Sequence, residues 1–243
     1  ARALPWPAAC LQTSLSRKLL AHAGALFVAP AMNDSGIAAG AALLAADVVP
    51  YRLPHVYLGF DAGEVDLGLD PKEIAAAIAD GAVGGLCRGR MEYGPRALGN
   101  RSILADPRRL QTADRLNGML GRSGFMPFAP VLLAERADEV LDPCWHKAEH
   151  ACEFMTVAVP VKPGWRERVP AVVHVDGTCR PQVLQEDTNP FYHAIVSAFA
   201  EQTGVPMLLN TSLNMHDDPI ACTADDARAV LRRGGIDMLV TAP

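Results

Sequence analysis

No C-x-x-C pair occurs among the six cysteines, which stand alone at positions 10, 87, 144, 152, 179 and 222. Isolated cysteines in a chain of 243 residues read as reduced thiols and a cytoplasmic home, not as a disulfide framework. No apolar run approaches the ~20 residues that span a bilayer. The start, Ala1-Arg-Ala-Leu-Pro-Trp-Pro7, shows no signal-peptide pattern. It also lacks a first Met, which reads as a piece of a longer chain. There is no internal repeat, and the 20 glycines and 19 prolines are dispersed, with no low-complexity block. Half of the residues are hydrophobic, enough for a substantial core in one large domain or two small ones. The net charge of −5 disfavours bulk nucleic-acid binding.

Against that acidic background stands one positive island. Between Arg88 and Arg115 there are seven arginines, no lysine and three acids (Glu92, Asp106, Asp114), a net +4. Arginine offers a planar fork that grips phosphate or carboxylate at two points, whereas lysine is a point charge. Gly94-Pro95 and Gly99-Asn100 make the segment a loop, and loops carry sites. The expectation is a polyanion pocket for phosphate groups, set against a solvated face paired with acids elsewhere. Apart from Tyr93 the segment has no interleaved aromatics, which argues against RNA as its ligand.

Along the chain, Leu11, Leu15 and Leu19 predict a weak helix over 6–22, and 25–29 a short strand. Asn33-Asp-Ser-Gly36 leads into a small-residue helix over 37–46, capped by Asp34 or Ser35. Such a turn suits an anion or a metal, although an ordinary N-cap explains the same residues. The prolines and glycines of 48–70 read as a linker, and Pro71 opens a short helix to position 80. A strand over 82–87 feeds the arginine-rich loop, and a helix over 110–120 follows it. Pro127-Phe-Ala-Pro130 reads as a rigid connector before a strand over 131–134 and a helical turn over 135–141. In Cys144-Trp-His-Lys-Ala-Glu-His-Ala-Cys152, the two histidines at i, i+4 suggest zinc. Neither cysteine has the usual spacing to a partner ligand, so a linker is the preferred reading. Strands are predicted over 154–161 and 172–178, the latter entering the Asp176-Gly177 turn. His174 reads as a core histidine, and Asp176 and Thr178 as better site candidates. A helix over 190–204 precedes a buried strand ending in Asn210-Thr-Ser-Leu-Asn214. Thr223 caps a helix to position 233, and 236–240 is a last strand. The alternation predicts α/β or mixed α+β, with the arginine loop and the Asn-Thr-Ser strand end converging on one pocket.

The segment Gly89-Arg-Met-Glu-Tyr-Gly-Pro-Arg-Ala-Leu-Gly-Asn-Arg-Ser-Ile-Leu-Ala-Asp-Pro-Arg108 resembles the signature of the O-carbamoyltransferases of the nodulation and antibiotic-tailoring type. Later blocks agree in order: Pro127-Phe-Ala-Pro130, His174-Val-Asp-Gly-Thr178, and Leu208-Leu-Asn-Thr-Ser-Leu-Asn214 followed by Pro219-Ile220. The resemblance implies a YrdC-like twisted mixed sheet flanked by helices over 81–243. A linker and short helix over 49–80 would precede it. Residues 1–48 would be the last piece of an actin/Hsp70-like (Kae1-like) domain. It implies carbamoyl-adenylate formation from carbamoyl phosphate and ATP with Mg²⁺. Transfer to a hydroxyl of a sugar or natural product would follow, using Fe²⁺ or another divalent metal in the Kae1-like part. Asp34 matches a metal ligand of that part. Arg90, Arg96 and Arg101 are the catalytic candidates. Ser102, Arg122, Asp176, Thr178, Asn210 and Ser212 are the candidates for binding carbamoyl phosphate and ATP. Nothing in residues 1–30 supplies the His-x-x-x-His of the Kae1-like part. A separate Kae1-like half is therefore the expected partner. Two other readings compete: an inactive remnant or partner-dependent subunit, and an RNA-binding module related to tRNA modification.

Overall fold

The computed structural model describes residues 13–31, 34–47, 55–63, 70–121 and 127–241. Its centre is a six-stranded mixed sheet in the order β10-β2-β4-β9-β5-β8. These strands are β2 (Gly84–Cys87), β4 (Arg101–Ala105), β5 (Ala129–Leu133), β8 (Gln182–Leu184), β9 (Met207–Ser212) and β10 (Met238–Thr241). The four inner strands run antiparallel to one another, and the edge strands β10 and β8 each run parallel to their neighbour. β2, β4, β5 and β8 are buried along their whole length, as expected for strands covered on both faces. Two smaller antiparallel pairs flank the sheet: β1 (Tyr57–Asp61) with β3 (Arg90–Glu92), and β6 (Val159–Pro160) with β7 (Thr178–Cys179).

The longer helices sit where local chemistry starts and stops them. α3 (Pro71–Ala79) has Asp70 as its cap and Pro71 in its first turn, and buries Ile74, Ala75 and Ile78. α4 (Leu110–Leu120) ends at Gly121, in the left-handed conformation. α5 (Ala137–Val140), α6 (Glu149–Cys152) and α7 (Pro163–Arg166) are single turns. α8 (Pro190–Thr203) is capped by Asn189 and closed by Gly204, and α9 (Ala224–Arg232) carries a full capping box between Thr223 and Asp226.

The sequence expectations fail where pairing depends on distant partners. The stretch over 25–29 forms no β-strand. The predicted linker over 48–70 contains β1, whose Tyr57 pairs with Glu92 inside the arginine-rich segment. The alternating run 154–161 forms only the two-residue β6, and 170–172 is a 3₁₀ turn with its strand coming after Gly177. The Cys144 to Cys152 stretch is a 3₁₀ turn leading into α6, with Cys152 buried. His146 there lies between Glu149 (2.6 Å) and Asp138 (2.9 Å). Among the described residues no three His, Cys, Asp or Glu side chains gather as a metal site.

α1 (Thr13–His22) and the segment after it dock on this stretch. Leu26 N–H donates to the Lys147 carbonyl at 2.6 Å, and Lys147 Nζ donates to the Leu20 carbonyl at 2.9 Å. Leu20, Leu26 and Val28 belong to the same hydrophobic core as the sheet. α2 (Asp34–Ala45) follows, with Ile37 and Leu44 exposed.

Candidate functional site

β9 crosses the sheet as an apolar strand and turns polar at its end, where Asn210, Thr211 and Ser212 line a cavity of about 320 Å³. The other walls are Pro95, Arg96 and Ala97 from the arginine-rich loop, Pro127 to Ala129, Met155 and Arg180. The arginine loop and the Asn-Thr-Ser strand end do converge. The pairing registers Ser102–Ser212, Ala129–Asn210 and Val131–Gln182 place Gln182, Asn210, Ser212 and Ser102 on one face of the sheet. A polar stripe therefore forms on an otherwise apolar face.

The direction of the hydrogen bonds in that stripe follows from the main chain. Gln182 Nε2 donates to the Leu98 carbonyl at 2.8 Å, which leaves Gln182 Oε1 to face Asn210. Asn210 Nδ2 then donates both its hydrogens, to Gln182 Oε1 and to the Ala97 carbonyl, each at 3.0 Å. Asn210 Oδ1 is buried and accepts no hydrogen bond in the structure. Asn214 is pinned in the same way: its Nδ2 donates to the carbonyls of Met215 (3.0 Å) and Asp218 (2.9 Å). Its Oδ1 must then accept, and it takes the Ser212 hydroxyl proton at 2.5 Å. Ser212 Oγ and the buried Asn210 Oδ1 are thus both left as acceptors by their neighbours.

The walls offer cations. Arg96 is half-buried, and burial is the one effect that moves its guanidinium, holding it below the usual arginine range. Arg180 is the second cation of the cavity and was not among the expected site residues. It lies two residues past the His174-Val-Asp-Gly-Thr178 block, and burial, reinforced by the Arg180 charge, keeps the His174 imidazole below its ordinary pKa.

The other expected residues are placed differently, each for a physical reason. Arg101 is fully buried, and its guanidinium donates to five main-chain carbonyls, those of Phe60, Arg88, Gly89, Asn100 and Cys222. In this structure its donors are spent on main-chain oxygens, the arrangement of a strut. Ser102 is also fully buried, with Oγ accepting from Gly99 N–H at 2.9 Å, so it shapes the loop and does not line the cavity. Arg90 is exposed on β3, outside the cavity wall. Thr178 is buried, and its hydroxyl donates to Asp176 Oδ1 at 2.7 Å and meets His174 Nδ1 at 3.0 Å. Asp176 and Thr178 therefore form the turn that precedes Arg180 and do not line the cavity. Arg122 and the side chain of Asp34 lie outside the described residues. The seven-arginine island dissolves in the same way. Arg108 is held by Asp106, Arg115 by Asp237, and Arg88 stacks over Phe191.

Glu92 was missed and organises the loop. Its Oε1 accepts from the N–H groups of Leu98 (2.6 Å), Asn100 (2.7 Å) and Arg101 (3.2 Å). Tyr57, from the supposed linker, donates to the Leu98 carbonyl at 2.9 Å. Together they fix the turn that presents Arg96 and Ala97. An acid beside glycines in a positive segment was the available signal.

Comparison with known proteins places this geometry in a family. A solved structure with a similar fold is described as "Crystal structure of full-length HypF in the phosphate- and nucleotide-bound form". It aligns with 72% of this chain and 25% of its own, at a TM-score of 0.52 and 14% identity. The fold is YrdC-like, a mixed sheet with helices. The nodulation protein NolNO of Sinorhizobium fredii is 41% identical over 238 residues, which cover 88% of this chain and 35% of the relative. The 3'-hydroxymethylcephem-O-carbamoyltransferase of Amycolatopsis lactamdurans is 36% identical over 234 residues, 91% of this chain and 44% of that protein. The chain thus spans less than half the length of these relatives. The family model described as "Carbamoyltransferase C-terminus" matches residues 75–243, the whole of the sheet and its cavity, and the chain belongs to that carbamoyltransferase family.

Proposed function

We infer that the cavity binds carbamoyl phosphate beside ATP and that this chain is the carbamoyl-activating part of an O-carbamoyltransferase. One observation carries the reading: two guanidinium groups, Arg96 and Arg180, stand beside two forced acceptors, Asn210 Oδ1 and Ser212 Oγ. Carbamoyl phosphate carries the complementary pattern, an anionic phosphate joined to an amide NH₂ that can only donate.

The reaction balances with one water. Water cleaves carbamoyl phosphate to carbamate and inorganic phosphate, a carbamate oxygen then bonds the α-phosphorus of ATP, and the bond from that phosphorus to pyrophosphate breaks. Arg96 and Arg180 stabilise negative charge on the transferring phosphoryl oxygens, and Asn210 and Ser212 hold the carbamoyl amide in place. Mg²⁺ would accompany ATP and neutralise its phosphates. Among the described residues no three His, Cys, Asp or Glu side chains gather as a site for a resident metal. Transfer to a hydroxylated acceptor is assigned to the part of the relatives that lies outside this chain's match, or to a separate polypeptide. A cytoplasmic setting suits both donors. No helix among the described residues is long and apolar enough to cross a membrane.

The test is pyrophosphate release by the purified chain. It should depend on carbamoyl phosphate and fall about a hundredfold in Arg96→Ala, the usual cost of one lost charge-stabilising donor. Release that ignores carbamoyl phosphate, or is unchanged by Arg96→Ala, overturns the reading.

A further inference from the structure

Ser212 is confined to accepting from a ligand because something else takes its proton. A free hydroxyl rotates to suit either partner. At this site the rotation is blocked by Asn214, a residue absent from the cavity wall itself. Asn214 cannot turn its amide round: both hydrogens of Nδ2 are committed to carbonyl oxygens, those of Met215 and Asp218, which cannot donate. Its Oδ1 is therefore fixed opposite Ser212 Oγ, at 2.5 Å. Asn210 Oδ1 reaches the same state by its own route, through Gln182 and the carbonyls of Leu98 and Ala97.

We propose that Asn214 is a positioning residue for donor selectivity: by holding the Ser212 proton it makes Ser212 an obligate acceptor, so that the site takes an acyl phosphate bearing NH₂ and rejects one bearing CH₃. This rests on the carbamoyl phosphate reading above. The physical reason is that an amide NH₂ fills both acceptors, whereas a methyl of the same size leaves both unpaired in a buried place. Without Asn214 the Ser212 hydroxyl can swing its proton toward the ligand carbonyl, and a carbonyl is common to both ligands. Selectivity, more than affinity, is then what is lost.

The experiment uses the 243-residue chain and two stable phosphonates of matching shape, phosphonoacetamide and acetonylphosphonate, which differ in NH₂ against CH₃. Calorimetric dissociation constants give the preference. The parent should prefer the amide by about tenfold or more, and Asn214→Leu should reduce that preference to within about threefold. Asn214→Asp loses the same two donations to Met215 and Asp218 but keeps an acceptor for Ser212, so it should retain the preference. That variant separates a role through Ser212 from mere support of the loop. In a Ser212→Ala background, Asn214→Leu should change the preference no further. Thermal unfolding confirms that each variant is folded. Preference kept in Asn214→Leu, lost equally in Asn214→Asp, or lowered again in the Ser212→Ala background overturns the proposal. Two distinct failures remain apart. A parent that binds both phosphonates equally sinks the selectivity inference alone, whereas a parent that binds neither sinks the carbamoyl phosphate reading with it.

Discussion

Glu92 shows how far one buried side chain can set the behaviour of a loop. Burial raises its carboxyl above the ordinary carboxylate range, against the pull of the three N–H groups it accepts. The fold therefore favours the neutral acid. A raised folded pKa contributes stability that is complete below the unfolded value, about 4.3, and is lost as pH rises through the folded one. Glu92→Gln keeps an acceptor for the same three N–H groups and carries no charge. In the window above that unfolded value the urea midpoint of the parent should fall further than that of Glu92→Gln. Equal slopes would show that Glu92 does not titrate in that window. At this scale the sequence was a partial guide. That Arg96, Asn210 and Ser212 would meet at one cavity was legible because polar side chains at strand ends and in glycine-bearing loops have few structural uses. Arg101 and Ser102 looked equivalent to them, since burial and main-chain partners leave no mark on composition. Arg180 was overlooked because a lone arginine after a turn carries no pattern.

The elements that were read well are those whose ends are written locally. Asp70 with Pro71, Thr223 with Asp226, and the glycines at 121 and 204 placed four helices nearly to the residue. β1 was hidden because Leu58 and Phe60 are exposed and Gly59 lies flat against Met91, so neither alternation nor an apolar run announces it. The strand expected over 172–178 failed because the Asp176-Gly177 turn comes before the pairing residues, not after them. The loop between β3 and β4 depends on Gly99 in a different way. Its φ of +120° is open to glycine alone, and an added Cβ would lie 2.3 Å from the Tyr192 ring. Gly99→Ala should cost about 2 kcal/mol or more in urea unfolding. It should also weaken phosphonate binding, because the same loop carries Arg96. A loss below about 0.5 kcal/mol, typical of neutral surface changes, would show that the loop can shift without harm.

Across the whole molecule, the first described segment and the sheet share one core. Leu26 is buried in that core, and its N–H bonds to the Lys147 carbonyl. Burying a carboxylate there has no partner to offset it, so Leu26→Asp should lower stability by about 3 kcal/mol. The loss should appear as one shifted transition, coincident by tryptophan fluorescence (Trp145 and Trp165 are both buried) and far-ultraviolet circular dichroism. A separate early transition with the main one unmoved would mean that the segment unfolds independently. The architecture of the sheet was foreseeable from alternating elements, but this docking of the first described segment was not, since it is made of hydrogen bonds to main-chain carbonyls and scattered apolar residues. Arg101 carries a consequence of the same kind. Every oxygen it holds belongs to the main chain, and the carbonyls, those of Phe60, Arg88, Gly89, Asn100 and Cys222, range from the adjacent residue to one 121 positions away. Side chains at those positions can drift among relatives without breaking a bond. In an alignment Arg101 should therefore stand as an invariant residue with no covarying partner.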